Sequence, residues 1–137
     1  MKKEKYLMGI DPGRDKCGIA VMDDRAKVYL HQVIDADQTL ATVNTVLTEY
    51  PIDTLVIGNQ TSSKQWQAKL RHQFPNLSIA PVDEKFTSQL ARLRYWQMYP
   101  PKGWQRLIPV GMRIPPCPID HIVAIILIER FLSLSAQ

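Results

Sequence analysis

Apolar runs separated by short polar breaks predict three antiparallel strands in the first quarter of the chain. The first run covers Tyr6 to Ile10, and Asp11-Pro12-Gly13 ends it with residues suited to a tight turn. A second run covers Gly18 to Met22, and a third covers Lys27 to Ile34 after a polar turn. Connections this short join neighbouring strands that run in opposite directions.

Further along the chain, apolar residues at helical spacing alternate with short β-rich runs. The first of these elements is a helix at Leu40–Tyr50, with Asp35 or Asp37 as its N-cap, and a strand follows at Thr54–Ile57. A helix that carries Trp66, Leu70 and Phe74 begins after Thr61 or Ser62, and the next strand is at Leu77–Val82. A helix with Leu90, Leu93 and Trp96 and a last helix at Ile119–Leu134 complete the order. Strands joined through helices pair in parallel, with right-handed crossovers. We therefore predict an α/β fold whose five-stranded mixed sheet has three antiparallel strands, then two parallel ones, flanked by helices.

The periodic pattern stops between Met98 and Pro118, where six prolines lie among glycines and basic residues. We predict a long Pro-rich loop at about residues 98–118, within a single domain of residues 1–137. Loops of this length in compact domains are usually functional or disordered. Two interpretations stay open: a lid beside the site, or a segment packed on the sheet through apolar residues such as Leu107 and Ile108.

Length and composition narrow the class of protein. With 137 residues, the chain has enough length for one domain with a real core and too little for two lobes. Hydrophobic residues make up 45% and charged residues 22%, which argues against disorder. Cys17 and Cys117 have no CxxC partner and the N-terminus is not of the signal-peptide type, so we expect a reduced, cytoplasmic setting. Charged residues interrupt the longest apolar segment, so we expect no membrane association.

Positive charge is concentrated in the segment from Lys64 to Arg113. That segment holds nine basic residues and two acidic ones, Asp83 and Glu84, for a net charge of +7, whereas the rest of the chain carries −3. A basic band around an isolated acidic pair suits a polyanionic partner that approaches a metal held by carboxylates. The ordinary alternative is a solvated basic face.

Three acidic residues fall at comparable places in the predicted fold. Asp11 follows the first strand, Glu84 follows the last strand, and Asp120 begins the last helix. Each alone has an ordinary explanation as a turn, cap or helix-dipole residue. Together, clustered carboxylates repel one another unless cations neutralise them, and hard oxygen ligands select Mg²⁺ or Mn²⁺. Two such ions about 4 Å apart support phosphodiester hydrolysis. Asp83 stays open as the alternative ligand, although the strand pleat favours Glu84.

The motifs around these acids resemble the YqgF family, also called RuvX. They are Gly9-Ile10-Asp11-x-Gly13 with Gly18-Ile19-Ala20-Val21, then Asp83-Glu84-Lys85-x-Thr87-Ser88, then Ile119-Asp120-x-x-x-Ala124 with Ile126-Leu127. The resemblance runs from about Tyr6 to Leu132. It implies a ribonuclease H-like fold and a nuclease, either of the Holliday junction resolvase type or one that matures the 5′ end of ribosomal RNA precursors. It also carries the family's three acidic positions onto Asp11, Glu84 and Asp120.

Several positions depart from the pattern of these proteins. Lys85 replaces an arginine, Val123 replaces an alanine, and the Pro-rich loop is longer than expected. RuvC resolvases have a further carboxylate after the fourth strand, where this chain has Asn59 and Gln60. The resemblance therefore supports a site with three acids and not one with four.

The leading hypothesis is a Mg²⁺-dependent endonuclease acting on structured RNA or branched DNA. The alternative is a nucleic-acid-binding module of the same fold with weak or no catalysis. An actin-like phosphotransferase also places Asp and Gly after its first strand, but it needs a second lobe that this chain is too short to form. The sequence leaves open RNA or DNA as substrate, and a monomer or a homodimer.

Residues for binding nucleic acid are expected around the basic band. Polar and basic side chains position phosphates, and an aromatic ring in a loop can stack on a base. The candidates are Asn59, Thr61, Lys64, Lys85, Arg92, Arg94, Trp104 and Arg106. Trp66 and Trp96 fit helical core stripes and are predicted to pack. His121 follows Asp120, but one helical step turns it away by about 100°, so we predict a surface histidine.

Overall fold

The computed structural model describes residues 5–60, 62–109, 115 and 118–135 of the chain. In chain order the elements are β1 (Tyr6–Pro12), β2 (Lys16–Asp23), β3 (Val28–Asp35), α1 (Thr39–Glu49), β4 (Ile52–Gly58), α2 (Ser63–Gln73), β5 (Ser78–Val82), α3 (Thr87–Met98) and α4 (Asp120–Ser135). Short 3₁₀ turns at Ala36–Gln38 and Gly103–Leu107 accompany them.

These strands form one sheet in the order β3-β2-β1-β4-β5. β1 pairs antiparallel with β2, and β2 pairs antiparallel with β3. β4 lies parallel to β1 on its other side, and β5 lies parallel to β4. The predicted mixed sheet, three antiparallel strands followed by two parallel ones, is confirmed. This order makes β1 the central strand, with a neighbour on each side.

Side chains alternate between the two faces of the sheet, and each face has its own core. On one face, Met8 and Ile10 of β1 lie in a cluster with Val43 and Val46 of α1 and Leu70 of α2. On the other face, Leu7 of β1 lies in a cluster with residues of α3 and α4. Along α4, every residue from Ile122 to Ile128 is buried. That run explains why its sequence is apolar on nearly all sides.

Two details of the helices differ from the sequence prediction. Gln38 is the N-cap of α1, not Asp35 or Asp37, because a 3₁₀ turn intervenes and no side chain caps the helix. Leu90 and Leu93 of α3 are about two-fifths exposed, so the predicted apolar stripe is wrong for these two residues.

The buried face of α3 is instead a stripe of mostly small and aromatic residues. Thr87, Ala91, Tyr95 and Trp96 form it, and the helix packs on α4. A row of residues four apart that begins with a small side chain allows this close helix contact. The predicted packing roles of Trp96 and Trp66 are confirmed, Trp96 against this core and Trp66 against the core on the opposite face.

None of the helices in the described part of the chain is long and apolar enough to cross a membrane.

Candidate active site

The pleat of β1 places Asp11 on the sheet face that α4 covers. Leu7 and Gly9 face α4, and Asp11 follows at the same period of two residues. Met8 and Ile10 fill the opposite core. Asp11 therefore follows Leu7 and Gly9 on the face of β1 that packs against α4, and its carboxyl group lies next to the first turn of that helix.

Glycines on both neighbouring strands leave room for two more acids beside Asp11. Gly18 of β2 is the direct pairing partner of Asp11, and a Cβ at Gly18 would lie 1.9 Å from the main-chain oxygen of Asp120. Gly58 ends β4 on the other side, and a Cβ there would lie 2.0 Å from both Cδ and Oε1 of Glu84. No real Cβ tolerates such distances, so these two glycines bring Asp120 and Glu84 to the flanks of Asp11.

Glu84 is held in a buried position just after β5. Only 5% of its surface is exposed. One carboxylate oxygen, Oε2, accepts a hydrogen bond of 3.1 Å from the main-chain N–H of Gln60. The other, Oε1, is buried and has no hydrogen-bond partner among the described residues. A buried carboxylate oxygen left in this state costs free energy unless a donor or a cation reaches it.

Asp83 lies outside this arrangement. Its side chain is exposed, and its Oδ1 accepts a hydrogen bond from the N–H of Lys85. Of the adjacent pair of acids, the structure therefore aims Glu84, and not Asp83, at Asp11. This is the orientation that the strand pleat favoured.

The turn that carries Glu84 is fixed from two directions. Thr87, which is buried, donates its N–H and its hydroxyl to the carbonyl oxygen of Glu84, at 3.0 and 2.7 Å. Arg130 of α4 donates to the carbonyl oxygens on either side, with 2.7 Å to Asp83 and 2.6 Å to Lys85. Because α4 also carries Asp120, Arg130 couples the positions of two of the three acids.

The three carboxyl groups disturb one another electrostatically. Burial, with the neighbouring carboxylates of Glu84 and Asp120, raises the pKa of Asp11 from its ordinary 3.8 to about 8. Burial also raises the pKa of Glu84 and that of Asp120. A nearby cation would favour the ionised forms of these three acids and so offset the cost of burying them.

The donor set suits a hard divalent cation. Carboxylate oxygens are the ligands that Mg²⁺ and Mn²⁺ prefer, and Glu84 Oε1 lacks any other partner among the described residues. Across those same residues, no three His, Cys, Asp or Glu side chains already stand at metal-binding spacing. The acids are adjacent to one another, and ligation requires them to close further around an ion.

Comparisons with known proteins identify the architecture. No protein-family model matches the chain. A Flavobacterium psychrophilum protein named "Putative pre-16S rRNA nuclease" is 24% identical over 143 aligned positions, which cover 93% of this chain and 96% of that protein. Thermus thermophilus RuvC bound to a Holliday junction superposes with a TM-score of 0.59 at 12% identity, over 96% of both chains. The fold is RuvC-like.

A second RuvC structure from Thermus thermophilus agrees, with a TM-score of 0.55 at 13% identity over 89% of both chains. The ribonuclease H-like fold predicted from the motifs is thereby confirmed, as is the predicted resemblance to the pre-16S rRNA nuclease type.

A basic and polar pocket of about 450 Å³ opens beside Glu84 in this RuvC-like fold. Asn59, Lys85 and Arg92, three of the predicted phosphate contacts, line it. The Asn59 side chain also faces the main-chain N–H of Glu84, with its oxygen 3.4 Å away. Basic side chains and Glu84, one of the three clustered acids, therefore line the same pocket.

Other predicted nucleic-acid contacts lie apart from that pocket. Arg94 pairs with Glu129 of α4 through bonds of 2.8 and 3.3 Å, in a separate groove between α3 and α4. Lys64 is exposed on α2. Trp104 is 70% exposed, and Arg106 donates to the Pro101 carbonyl.

Parts of the predicted Pro-rich loop lie outside the described residues. Thr61 lies outside the described residues, as do positions 110–114, 116 and 117 of the predicted loop, so the choice between a lid and a packed segment stays a prediction. The described part of the loop contains the turn at Gly103–Leu107.

The prediction of a surface histidine at position 121 is wrong. His121 is half-buried and stacks on His31 of β3, with ring centroids 5.2 Å apart. Burial, with a smaller effect of His31, lowers the pKa of His121 below its ordinary value. The helical-step argument placed His121 away from Asp120, but it did not include β3, which lies beneath that side of α4 in the RuvC-like fold.

Three residues that support the site did not come from sequence reasoning: Gln60 through its main chain, Thr87 and Arg130. Thr87 was noted only as a motif residue, and Gly58, which makes room for Glu84, was given no role. The available signal was a glycine at the end of a strand, which indicates a close approach of another group. Arg130 gave no signal, because its partners are 45 and 47 residues away in sequence.

Proposed function

We propose that this protein is a divalent-metal-dependent nuclease that hydrolyses phosphodiester bonds in structured nucleic acid. The observation that carries the proposal is the convergence of Asp11, Glu84 and Asp120 on one sheet face, with two glycines making room for them. Burial raises the pKa of all three acids, and Glu84 and Asp120 raise that of Asp11 further, so their charged forms are unfavourable without a bound cation.

In this proposal Asp11, Glu84 and Asp120 hold Mg²⁺ or Mn²⁺. Such ions, when bound, supply a hydroxide nucleophile and stabilise the charge on the leaving oxygen. Asp11 lies between the other two acids and interacts with both Glu84 and Asp120. Glu84 is held by the Gln60 N–H on one oxygen and presents the other inward.

Residues of the basic pocket orient the substrate. Lys85 and Arg92 bring positive charge to the wall next to Glu84, where they are suited to contact the phosphates that flank the scissile bond. Asn59 and Gln60 add amide groups to the lining of the same pocket. Arg130 keeps the Glu84 turn in place while a substrate binds.

The comparisons support the substrate class. The Flavobacterium relative is named for pre-16S rRNA and the Thermus structure contains a Holliday junction. Both are folded nucleic acids with branches or unpaired strands. We infer a substrate of this kind, either a ribosomal RNA precursor or branched DNA, and a cytoplasmic place of action.

A nucleic-acid-binding module without catalysis is the second candidate. One observation favours it: among the described residues, no three potential ligands stand at metal-binding spacing before an ion is present. The two candidates differ in metal affinity, since only the nuclease needs the three acids to close around an ion.

A cleavage panel tests the proposed function. Junction DNA and precursor ribosomal RNA are incubated with the protein, with and without Mg²⁺, beside the variants Asp11→Asn and Asp24→Asn. Asp24 is an exposed acid after β2 and serves as the matched control. Cleavage that needs Mg²⁺ and is lost only in Asp11→Asn supports the nuclease. Binding without any cleavage on either substrate contradicts it and supports the binding module.

A further inference from the structure

Phe86 combines two unfavourable features at one position beside the acidic cluster. Its backbone is left-handed, with φ of 66°, a conformation that a bulky side chain adopts rarely and at a cost in free energy. Its side chain is also exposed, with 61% of the residue surface accessible. A residue chosen for stability would be glycine or asparagine at such a φ, and polar at such an exposure.

The surrounding structure enforces this conformation. Phe86 is the N-cap of α3, between Lys85 and Thr87. On one side, Arg130 donates to the carbonyl oxygen of Lys85, and on the other side Thr87 donates twice to the carbonyl of Glu84. Strain persists where neighbouring contacts over-determine it, which is common at ligand-binding positions. Here the contacts that hold the buried glutamate also turn the phenylalanine ring outward.

The Phe86 ring lies in the basic pocket beside Glu84. Phe86 lines the same pocket as Glu84, together with Lys85 and Arg92. The Lys85 Nζ lies 5.3 Å from the centroid of the ring, so the apolar face is next to a cation. An aromatic face beside phosphate-binding cations is the combination that holds unpaired nucleotides, whose bases stack while their backbone is neutralised.

We propose that Phe86 stacks on an unpaired base next to the phosphodiester bond at the acidic cluster. This inference rests on the proposed function and specifies its substrate: the strand must present a base that is free of its partner, as in a bulge, a loop or a branch point. The interior of a fully paired duplex offers no free base face to the ring, so Phe86 selects irregular structure over regular duplex.

The test compares two labelled duplexes that differ in one group. Both carry a single-nucleotide bulge, which has a base in one and is abasic in the other, so their backbones are the same. Affinities are measured by fluorescence anisotropy in the Asp11→Asn background. The expected preference for the bulged base is about 5- to 150-fold, the range for stacking worth about 1–3 kcal/mol.

Variants at position 86 separate stacking from packing. Phe86→Leu keeps an apolar side chain without a ring, and it should remove the preference while affinity for the abasic duplex stays unchanged. Phe86→Trp should retain the preference. Leu90→Ala, at another exposed apolar residue of α3, should leave both affinities unchanged. Phe86→Gly, which relieves the left-handed strain, should lose the preference without a fall in melting temperature.

Three results would overturn the inference: no preference for the bulged base in the parent protein, a preference that persists in Phe86→Leu, or a lower melting temperature in Phe86→Gly. These results concern binding alone. Metal-dependent cleavage by a Phe86→Leu protein with unchanged base preference would refute the stacking role and leave the nuclease in place. A Phe86-dependent preference in a protein that never cleaves would refute only the nuclease.

Discussion

Replacing Asp11 by asparagine should stabilise the metal-free protein while abolishing cleavage. Asparagine has nearly the same shape, and its amide can donate to the carboxylates of Glu84 and Asp120. It replaces the central carboxyl group of the cluster, whose pKa is raised to about 8 in the folded protein, by a side chain that does not titrate. The variant tests whether burial, together with the neighbouring acids, makes ionisation of Asp11 unfavourable in the folded protein.

The sign of the effect follows from proton linkage. Asp11 has a higher pKa in the folded state than its ordinary 3.8, so between these values the folded state binds more protons than the unfolded state. The free energy of unfolding of the parent protein therefore falls as pH rises from about 4 to about 8. At pH 7 the cost amounts to at most about 4 kcal/mol. We expect asparagine to recover roughly 2–4 kcal/mol of it, because Glu84 and Asp120 still repel each other.

Denaturant unfolding in EDTA at a series of pH values measures this difference. The parent and Asp11→Asn curves should coincide near pH 4 and separate steadily towards pH 8, with the variant more stable. Asp24→Asn should follow the parent throughout. Adding Mg²⁺ should raise the stability of the parent and leave that of Asp11→Asn nearly unchanged. Parallel curves across the whole pH range would show that the pKa of Asp11 is not raised in the folded protein, and the reasoning would fail.

Three further changes probe the parts around the cluster. Gly58→Ala should lower the cleavage rate about 100-fold with little effect on the fold, because its Cβ would displace the buried Glu84 side chain. Cleavage kinetics would measure the rate and circular dichroism the fold, and an unchanged rate would contradict the prediction. Arg130→Gln should lower the free energy of unfolding by about 1–3 kcal/mol and also the cleavage rate, and Arg130→Lys should restore part of both if the two carbonyl contacts matter. Replacing Lys85 and Arg92 by alanine should flatten the plot of log affinity against log salt by about one for each lost phosphate contact, whereas Arg94→Ala, paired with an acid in another groove, should leave the slope unchanged.

The sheet was predictable because its signals are local. Alternation in β1 and β2, and turn residues such as Asp11-Pro12-Gly13, act within a few residues of one another. The stripe of α3 was not predictable in the same way, because apolar residues occupy more than one side of that helix. Which side is buried depends on where α4 packs, and Ala91 allows a closer contact than Leu90 does.

For the candidate site, sequence reasoning singled out three acids but not the residues that hold them in position. Asp11, Glu84 and Asp120 could be picked out because each ends or begins an element. The support from Arg130 arises only in three dimensions, because it joins residues far apart in the chain. The left-handed backbone of Phe86 also has no signature in the sequence, since glycine or asparagine is the usual mark of that conformation.

The helix α4 carries a requirement on chain length that its apolar composition does not reveal. Asp120 begins the helix and Arg130 lies ten residues later, about 15 Å along its axis. Asp120 contributes to the acidic cluster, and Arg130 donates hydrogen bonds to the turn that carries Glu84. Deleting or inserting one residue between them would rotate one against the other by about 100°. Apolar substitutions of similar volume within this stretch should be tolerated, whereas any change in its length should separate the two ends of the site.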